Sequence, residues 1–138
     1  MDGPFVETTF HVRYAETDAM GQVHHSIYPV WFEEARSELM RQLGSHYADV
    51  EAAGFFFAVT EMWARFHAPA RYGHAVTVRG WLEAARSRGF TFRYEVRHAH
   101  TDQRLATGQT KHICIDRHGK PCVIPPWLWE KMGVERET

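Results

Sequence analysis

The sequence predicts an α+β fold, with one long helix near the N-terminus packed on an antiparallel sheet of about five strands. Three observations carry that expectation. Tyr28, Trp31, Phe32, Ala35, Leu39 and Leu43 recur at spacings of three and four, as the buried stripe of an amphipathic helix does. Four later runs are long and rich in Val, Thr and aromatic residues, which suits strands. No helical segment separates those runs, so they join through short turns and pair antiparallel. With 138 residues, 44% of them hydrophobic, the chain can build one core and is too short for two ordinary domains. A single domain over 1–138 is expected.

The elements can be justified in order. ETTFHVRY, from Glu7 to Tyr14, has the composition of a first strand. The helix begins between His25 and Ile27, with Ser26 as candidate cap, and stops at Gly44. Pro29 is compatible with it, because a first-turn N–H has no intrahelical acceptor to lose. After a short polar link, FFFAVTEMWARFH (Phe55 to His67) reads as a long strand, and APARYGHA supplies Pro and Gly for a turn. VTVRGWLEAAR (Val76 to Arg86), FTFRYEVRHA (Phe90 to Ala99) and LATGQTKHICID (Leu105 to Asp116) complete a meander, joined by SRG and HTDQ. Gly80 and Gly108 fall inside strands, where glycine marks a bulge, a bend or a close backbone approach. PPWLWEKMG suits one short helix. One helix covers one face of such a sheet and leaves Trp63, Trp81, Phe90 and Phe92 in want of cover. Burial of each is worth roughly 1.5–3 kcal/mol, so an oligomer is expected.

Charge and motif spacing exclude several functions. Sixteen basic against 17 acidic side chains give a formal charge of -1, without the positive excess that phosphate backbones attract. Nucleic acid is not an expected partner. The opening MDGPFVETTF has no basic n-region or long apolar run, and no later window reaches membrane-spanning length, so a cytoplasmic protein with no membrane partner is expected. Cys114 and Cys122 stand eight apart without zinc-ligand spacing and read as reduced thiols. His24 and His25 would project about 100° apart on a helix, and no HxxxH or HExxH occurs, so no metal site is expected. His98 and His100 share a strand face and read as a solvated strand end.

The stretch AETDAMGQVHHSIYPVWFEEAR holds the candidate chemistry. Asp18 lies in a loop that runs through Gly21 and His25 into the helix start. Backbone N–H groups there lack intrahelical acceptors and can polarise a carbonyl oxygen or bind an anion. A carboxylate facing such donors is a minimal hydrolase. On the local pattern alone a turn or capping aspartate is the stronger reading, because a lone Asp in a loop before a helix more often serves that way.

This opening stretch, together with FHAPARYGH and the closing strand into ICID, resembles the 4-hydroxybenzoyl-CoA thioesterase-like branch of the hotdog-fold superfamily. The matching positions are Asp18, Gly21, His25, Tyr28, Glu33 and Arg36. The resemblance implies a hotdog fold, a long central helix wrapped by a curved sheet. It also implies a homodimer with a continuous sheet, or a homotetramer made of two such dimers. The implied activity is hydrolysis of a short- or medium-chain or aromatic acyl-CoA to free acid and coenzyme A, without a cofactor. The family's catalytic acid maps to Asp18, as nucleophile or general base, and its carbonyl-polarising amide maps to His25, with Tyr28 beside them. Arg86 and Arg88 match basic positions that hold the nucleotide of coenzyme A, and Arg71 is a further candidate. Glu61 is a candidate supporting partner of Asp18. Glu16, and Glu33 or Glu34 on the helix, are rival carboxylates. Trp31, Phe55, Phe56, Phe57 and Trp63 are candidates for an acyl pocket or plain core. The rival functions are a thioesterase acting on acyl carrier protein and a non-catalytic acyl-CoA-binding dimer.

Overall fold

Alternation along the central strands builds the floor of the molecule. The computed structural model describes residues 3–133; residues 1–2 and 134–138 of the expected domain lie outside the described residues. Five strands, β1 (Phe5–His11), β2 (Phe56–Phe66), β3 (Ala75–Arg86), β4 (Gly89–His98) and β5 (Arg104–Ile115), form one antiparallel sheet in the order β1-β3-β4-β5-β2. Val76, Val78 and Leu82 on β3 and Phe90, Phe92, Tyr94 and Val96 on β4 are buried, with Ala106 and Cys114 on β5. Register shifts at Val59/Glu61, Leu82/Ala84 and Val96/Arg97 introduce bulges, which bend strands.

The helix α1 (Tyr28–Gln42) lies on that face, burying Tyr28, Trp31, Phe32, Ala35 and Leu39 as its periodicity predicts. Met40 is buried as well, whereas Leu43, past the last turn, is only half-buried. Both strand glycines admit α1. A Cβ on Gly108 would stand 2.3 Å from Phe32 Cε2, and one on Gly80 would stand 3.0 Å from the Ala35 Cβ. Phe32 can therefore lie flat on Tyr94, with ring centroids 4.4 Å apart and planes 8° apart. Two short helices, α2 (Tyr47–Ala52) and α3 (Pro126–Met132), complete the structure.

Four expectations need correction. The meander holds only for β3–β4–β5; β2 does not pair with β3 but crosses to the far edge beside β5. The first strand ends at His11 rather than Tyr14, because Tyr14–Glu16 turn into a 3-10 helix. The polar link after Gly44 contains α2, capped by the His46 side chain accepting from the Ala48 N–H at 3.1 Å. Ser26 does not cap the long helix. A 3-10 turn, His25–Ile27, precedes α1, and its cap is His24, whose Nδ1 accepts from the Ser26 N–H at 3.2 Å.

The edge strand β2 is the exception to the burial pattern. Val59, Met62, Trp63 and Phe66 are 51, 51, 43 and 52% exposed. Phe90 and Phe92 are buried in the single chain, so the sequence argument for an uncovered surface now falls on β2.

Candidate active site

The loop between the first 3-10 turn and α1 is anchored by a buried carboxylate. Glu16 is 6% exposed; its Oε1 accepts from the Arg13 N–H, and its Oε2 accepts from Arg13 Nη2 and from Trp31 Nε1, each at 2.8 Å. Burial alone pushes this carboxyl up, but the bonds from Arg13, side chain then backbone, and from Trp31 outweigh it and hold Glu16 below the usual carboxylate range. Glu16 was a rival to Asp18 by position; with both oxygens accepting from Arg13 and Trp31, it ties the loop to the helix.

Asp18 follows in a loop closed on itself. Its backbone N–H donates to the Gln22 carbonyl at 2.7 Å, and its Oδ1 accepts from the Met20 and Gln22 N–H groups at 2.8 and 3.2 Å. Gly21, at φ +76°, supplies the left-handed residue that this closure requires. Among the described residues Oδ2 has no hydrogen-bond partner. Arg71 braces the loop through an isolated bridge to Gln22 and a 3.5 Å contact from Nη1 to the Met20 carbonyl.

The chain then returns as Val23, whose N–H donates to the Ala70 carbonyl at 2.8 Å, and enters the 3-10 turn at His25. The Ile27 N–H is engaged by the His24 carbonyl, but the His25 N–H has no acceptor among the described residues. Tyr28 is buried between Trp31 and Phe66, at ring distances of 5.1 and 5.0 Å. Asp18, Gln22, His25, Tyr28, Phe66, His67 and Pro69 line one cleft of about 360 Å³. Asp18, Gly21, His25, Tyr28 and Arg71 therefore belong to one neighbourhood.

The other candidates lie elsewhere. Arg86 and Arg88 line a separate cleft of about 450 Å³ at the β3–β4 hairpin, with Thr60 and Lys111. Thr60 is six residues along β2 from Phe66, which is roughly 20 Å of extended strand. Glu61 is exposed and faces Lys111 Nζ at 3.6 Å, outside the Asp18 cleft. Glu33 and Glu34 are exposed on α1. Trp31 is core, Trp63 is exposed on the edge strand, and Phe55 and Phe57 line a third cavity. His98 ends its strand, its Nδ1 accepting from the His100 and Thr101 N–H groups at 3.2 and 3.3 Å. Cys114 and Cys122 are free thiols with sulfurs 3.3 Å apart. Burial, then the neighbouring Cys122, pushes Cys114 up to about 12. Among the described residues no group of three or more His, Cys, Asp or Glu is placed to hold a metal ion, and no helix is long and apolar enough to cross a membrane. The cleft-lining Phe66, His67 and Pro69 fall in FHAPARYGH, which carries part of the family resemblance, but nothing in the sequence placed them beside Asp18.

A carboxylate oxygen and a backbone amide that both lack partners among the described residues, on residues of one cleft, are equipment for acyl transfer. A profile of the Thioesterase-like superfamily matches residues 12–132. The chain belongs to that superfamily. This thioesterase-like chain is 42% identical to a protein of Thermus thermophilus, TT1821, whose crystal structure superposes with a TM-score of 0.86 over 91% of this chain and 95% of that one. A DHNA-CoA thioesterase from Staphylococcus aureus is 32% identical, with a TM-score of 0.84 over 92% of this chain and 89% of the other. The acyl-CoA thioester hydrolase YbgC from Escherichia coli is 27% identical over 115 residues, 83% of this chain and 85% of YbgC. The protein is a thioester hydrolase with the hotdog architecture of its relatives.

Proposed function

We propose that this thioesterase-like protein hydrolyses an acyl-CoA to free acid and coenzyme A with Asp18 as its catalytic acid. The observation that carries the reading is the shared cleft, lined by Asp18 and by His25, whose N–H has no acceptor among the described residues. In this reading the thioester oxygen accepts from the His25 N–H, which meets the negative charge that develops as the carbonyl carbon becomes tetrahedral. Oδ1 is committed to two backbone donors, which fixes the carboxylate and leaves Oδ2 to react. Either Oδ2 attacks the carbonyl carbon, the C–S bond breaks and water hydrolyses the resulting anhydride, or Oδ2 takes a proton from a water that attacks the carbonyl carbon and the tetrahedral adduct then breaks its C–S bond. In both routes coenzyme A leaves as a thiolate and takes up the proton that water gave up. The same groups suit an acyl group on coenzyme A or on acyl carrier protein; the named relatives favour coenzyme A. The chemistry needs no metal or redox group.

Asp18→Asn keeps an acceptor at Oδ1 and so should keep the loop while abolishing turnover of a panel of CoA esters. Undiminished turnover would overturn the role of Asp18. Label in Asp18 after a single turnover in ¹⁸O-water would establish attack by the carboxylate, because direct attack by water leaves none there. CoA-ester binding with no turnover by the wild type would establish the non-catalytic alternative.

The exposed β2 edge supports a homodimer as the working assembly. Two β2 edges paired antiparallel would bring the Phe66 end of one subunit beside the Phe56 end of the other. The Asp18 cleft would then be flanked by the partner's Arg86 and the partner's Arg88, whose charges would lie near coenzyme A phosphates across the interface. Sedimentation equilibrium showing a monomer at micromolar concentration would exclude this arrangement.

A further inference from the structure

The two cysteines, which the hydrolysis does not use, meet where β5 ends. Their alignment is set by the backbone. Asp116 Oδ1 accepts from the His118 and Lys120 N–H groups at 2.8 and 3.0 Å, the Asp116 N–H donates to the Lys120 carbonyl at 2.9 Å, and Gly119, at φ +78°, turns the chain back. Ile115 then bridges Pro121 in antiparallel fashion, and the Cys122 N–H donates to the Cys114 carbonyl at 2.9 Å. Directly opposed residues of an antiparallel pair carry their side chains on the same face. Cys114 and Cys122 are opposed in this way, and their sulfurs stand 3.3 Å apart.

The two thiols differ in access. Cys114 is fully buried, its N–H donating to the Arg88 carbonyl at 2.7 Å, while Cys122 is half-buried beside the exposed Val123. Two residues past Cys122, the Ile124 N–H donates to the Ser87 carbonyl at 2.8 Å. The pair therefore lies where the β3–β4 turn, the end of β5 and the segment leading to α3 come together. Burial, then the neighbouring Cys122, keeps Cys114 protonated up to about 12, so a reagent arriving from solution meets Cys122 first. A disulfide bond is about 2.05 Å long, so the sulfurs have only about 1 Å left to close, with the backbone register already in place.

We propose that Cys122 and Cys114 form a reversible redox site that exchanges with a low-molecular-weight disulfide, Cys122 as the entry thiol and Cys114 as the resolving thiol. The Cys122 thiolate attacks one sulfur of the small disulfide. A new S–S bond forms, the old one breaks, and one thiolate leaves and takes up the proton that Cys122 gave up. Cys114 then loses its proton as its sulfur attacks Cys122 Sγ, expelling the second small thiolate, which is protonated in turn. In sum, two protein thiols are oxidised by two electrons to a Cys114–Cys122 disulfide, and the small disulfide is reduced to two thiols. The second step is intramolecular between neighbouring atoms, so the mixed disulfide does not accumulate. The closed bond staples the segment that leads to α3 onto the end of β5. The site does not depend on which residue performs catalysis.

Glutathione disulfide is the probe, incubated with the intact wild-type protein at mildly alkaline pH and followed by intact mass and peptide mapping. The expected product is a chain lighter by two hydrogens with Cys114 joined to Cys122, free of cross-links between chains and fully returned to the dithiol by dithiothreitol. Cys114→Ala should stop at a stable glutathione adduct on Cys122. Cys122→Ala, with only the buried thiol left, should react at least tenfold more slowly than wild type. An unreactive wild type, a glutathione adduct that persists on it, or disulfides between chains would each overturn the proposal. So would a folded Cys114→Ala protein that stays unmodified, or a folded Cys122→Ala protein that reacts at the wild-type rate. If Cys114→Ala does not fold, the Cys122 variant and the wild-type peptide map decide alone.

Discussion

Replacing Glu16 by Gln should destabilise the protein and loosen the loop that carries Asp18. The carboxylate offers only acceptors, and all three neighbours are donors: the Arg13 N–H on Oε1, and Arg13 Nη2 with Trp31 Nε1 on Oε2. A glutamine amide has one oxygen and one NH₂, so either orientation sets a donor against a donor. The Arg13 side chain is largely exposed, so its ion pair adds little, about 0–1 kcal/mol. The larger part is the buried indole or backbone N–H left unpaired, about 1–3 kcal/mol. For a chain of this size that is a fall in Tm of roughly 3–12 °C. The pH dependence has a definite sign. Because the folded carboxyl lies below its unfolded value, its contribution is full above an unfolded pKa of about 4.3 and is lost as pH falls through the lower folded value. The gap between wild type and variant should therefore be constant at neutral pH and close in acid. Urea melts at pH 7 and at steps below pH 5 measure both effects. Equal stability at pH 7, or a gap that widens in acid, would refute the assignment of Glu16 as the charged anchor.

Two further outcomes follow from the geometry. His25→Pro removes the amide without touching the carboxylate; His24 at ψ 139° is already in the conformation that precedes proline, so the fold should survive while kcat falls about 10²–10³-fold in steady-state thioesterase kinetics. Gly108→Ala sets a methyl against the Phe32 ring and should lower stability by about 1–3 kcal/mol in urea melts, and an unchanged midpoint would show that α1 is not held so close.

The long helix was legible because Trp31, Phe32, Ala35 and Leu39 repeat a period that only one secondary structure satisfies. The strands were legible by composition, but not their order: nothing local to FFFAVTEMWARF states that it pairs with a segment 50 residues later rather than with its neighbour. Helix α2 has six residues, too few for periodicity to register. At the site, Asp18 and His25 stood out because they share one short motif that resembles a family. Glu16, Phe66 and Arg36 acquire their roles from partners distant in sequence, as with Trp31 held 15 residues from Glu16 and Tyr94 held 58 from Arg36. Such pairings are properties of the packed chain. Gly80 and Gly108 lie between these cases: the sequence left a bulge, a bend or a close approach open at each, and the structure shows the approach of α1.

The outer place of β2 has a consequence for synthesis. Among the described residues, Phe56–Phe66 pair only with Ala106–Ile115 of β5, the last strand in chain order. At roughly 5–20 residues per second, an apolar edge strand emerges from the ribosome several seconds before the segment that receives it. Until β5 arrives, neither side of the strand has a partner within its own chain. The nascent protein therefore passes through an interval in which chaperone capture or aggregation competes with folding, and a synonymous slowing of translation between residues 67 and 115 would lengthen it.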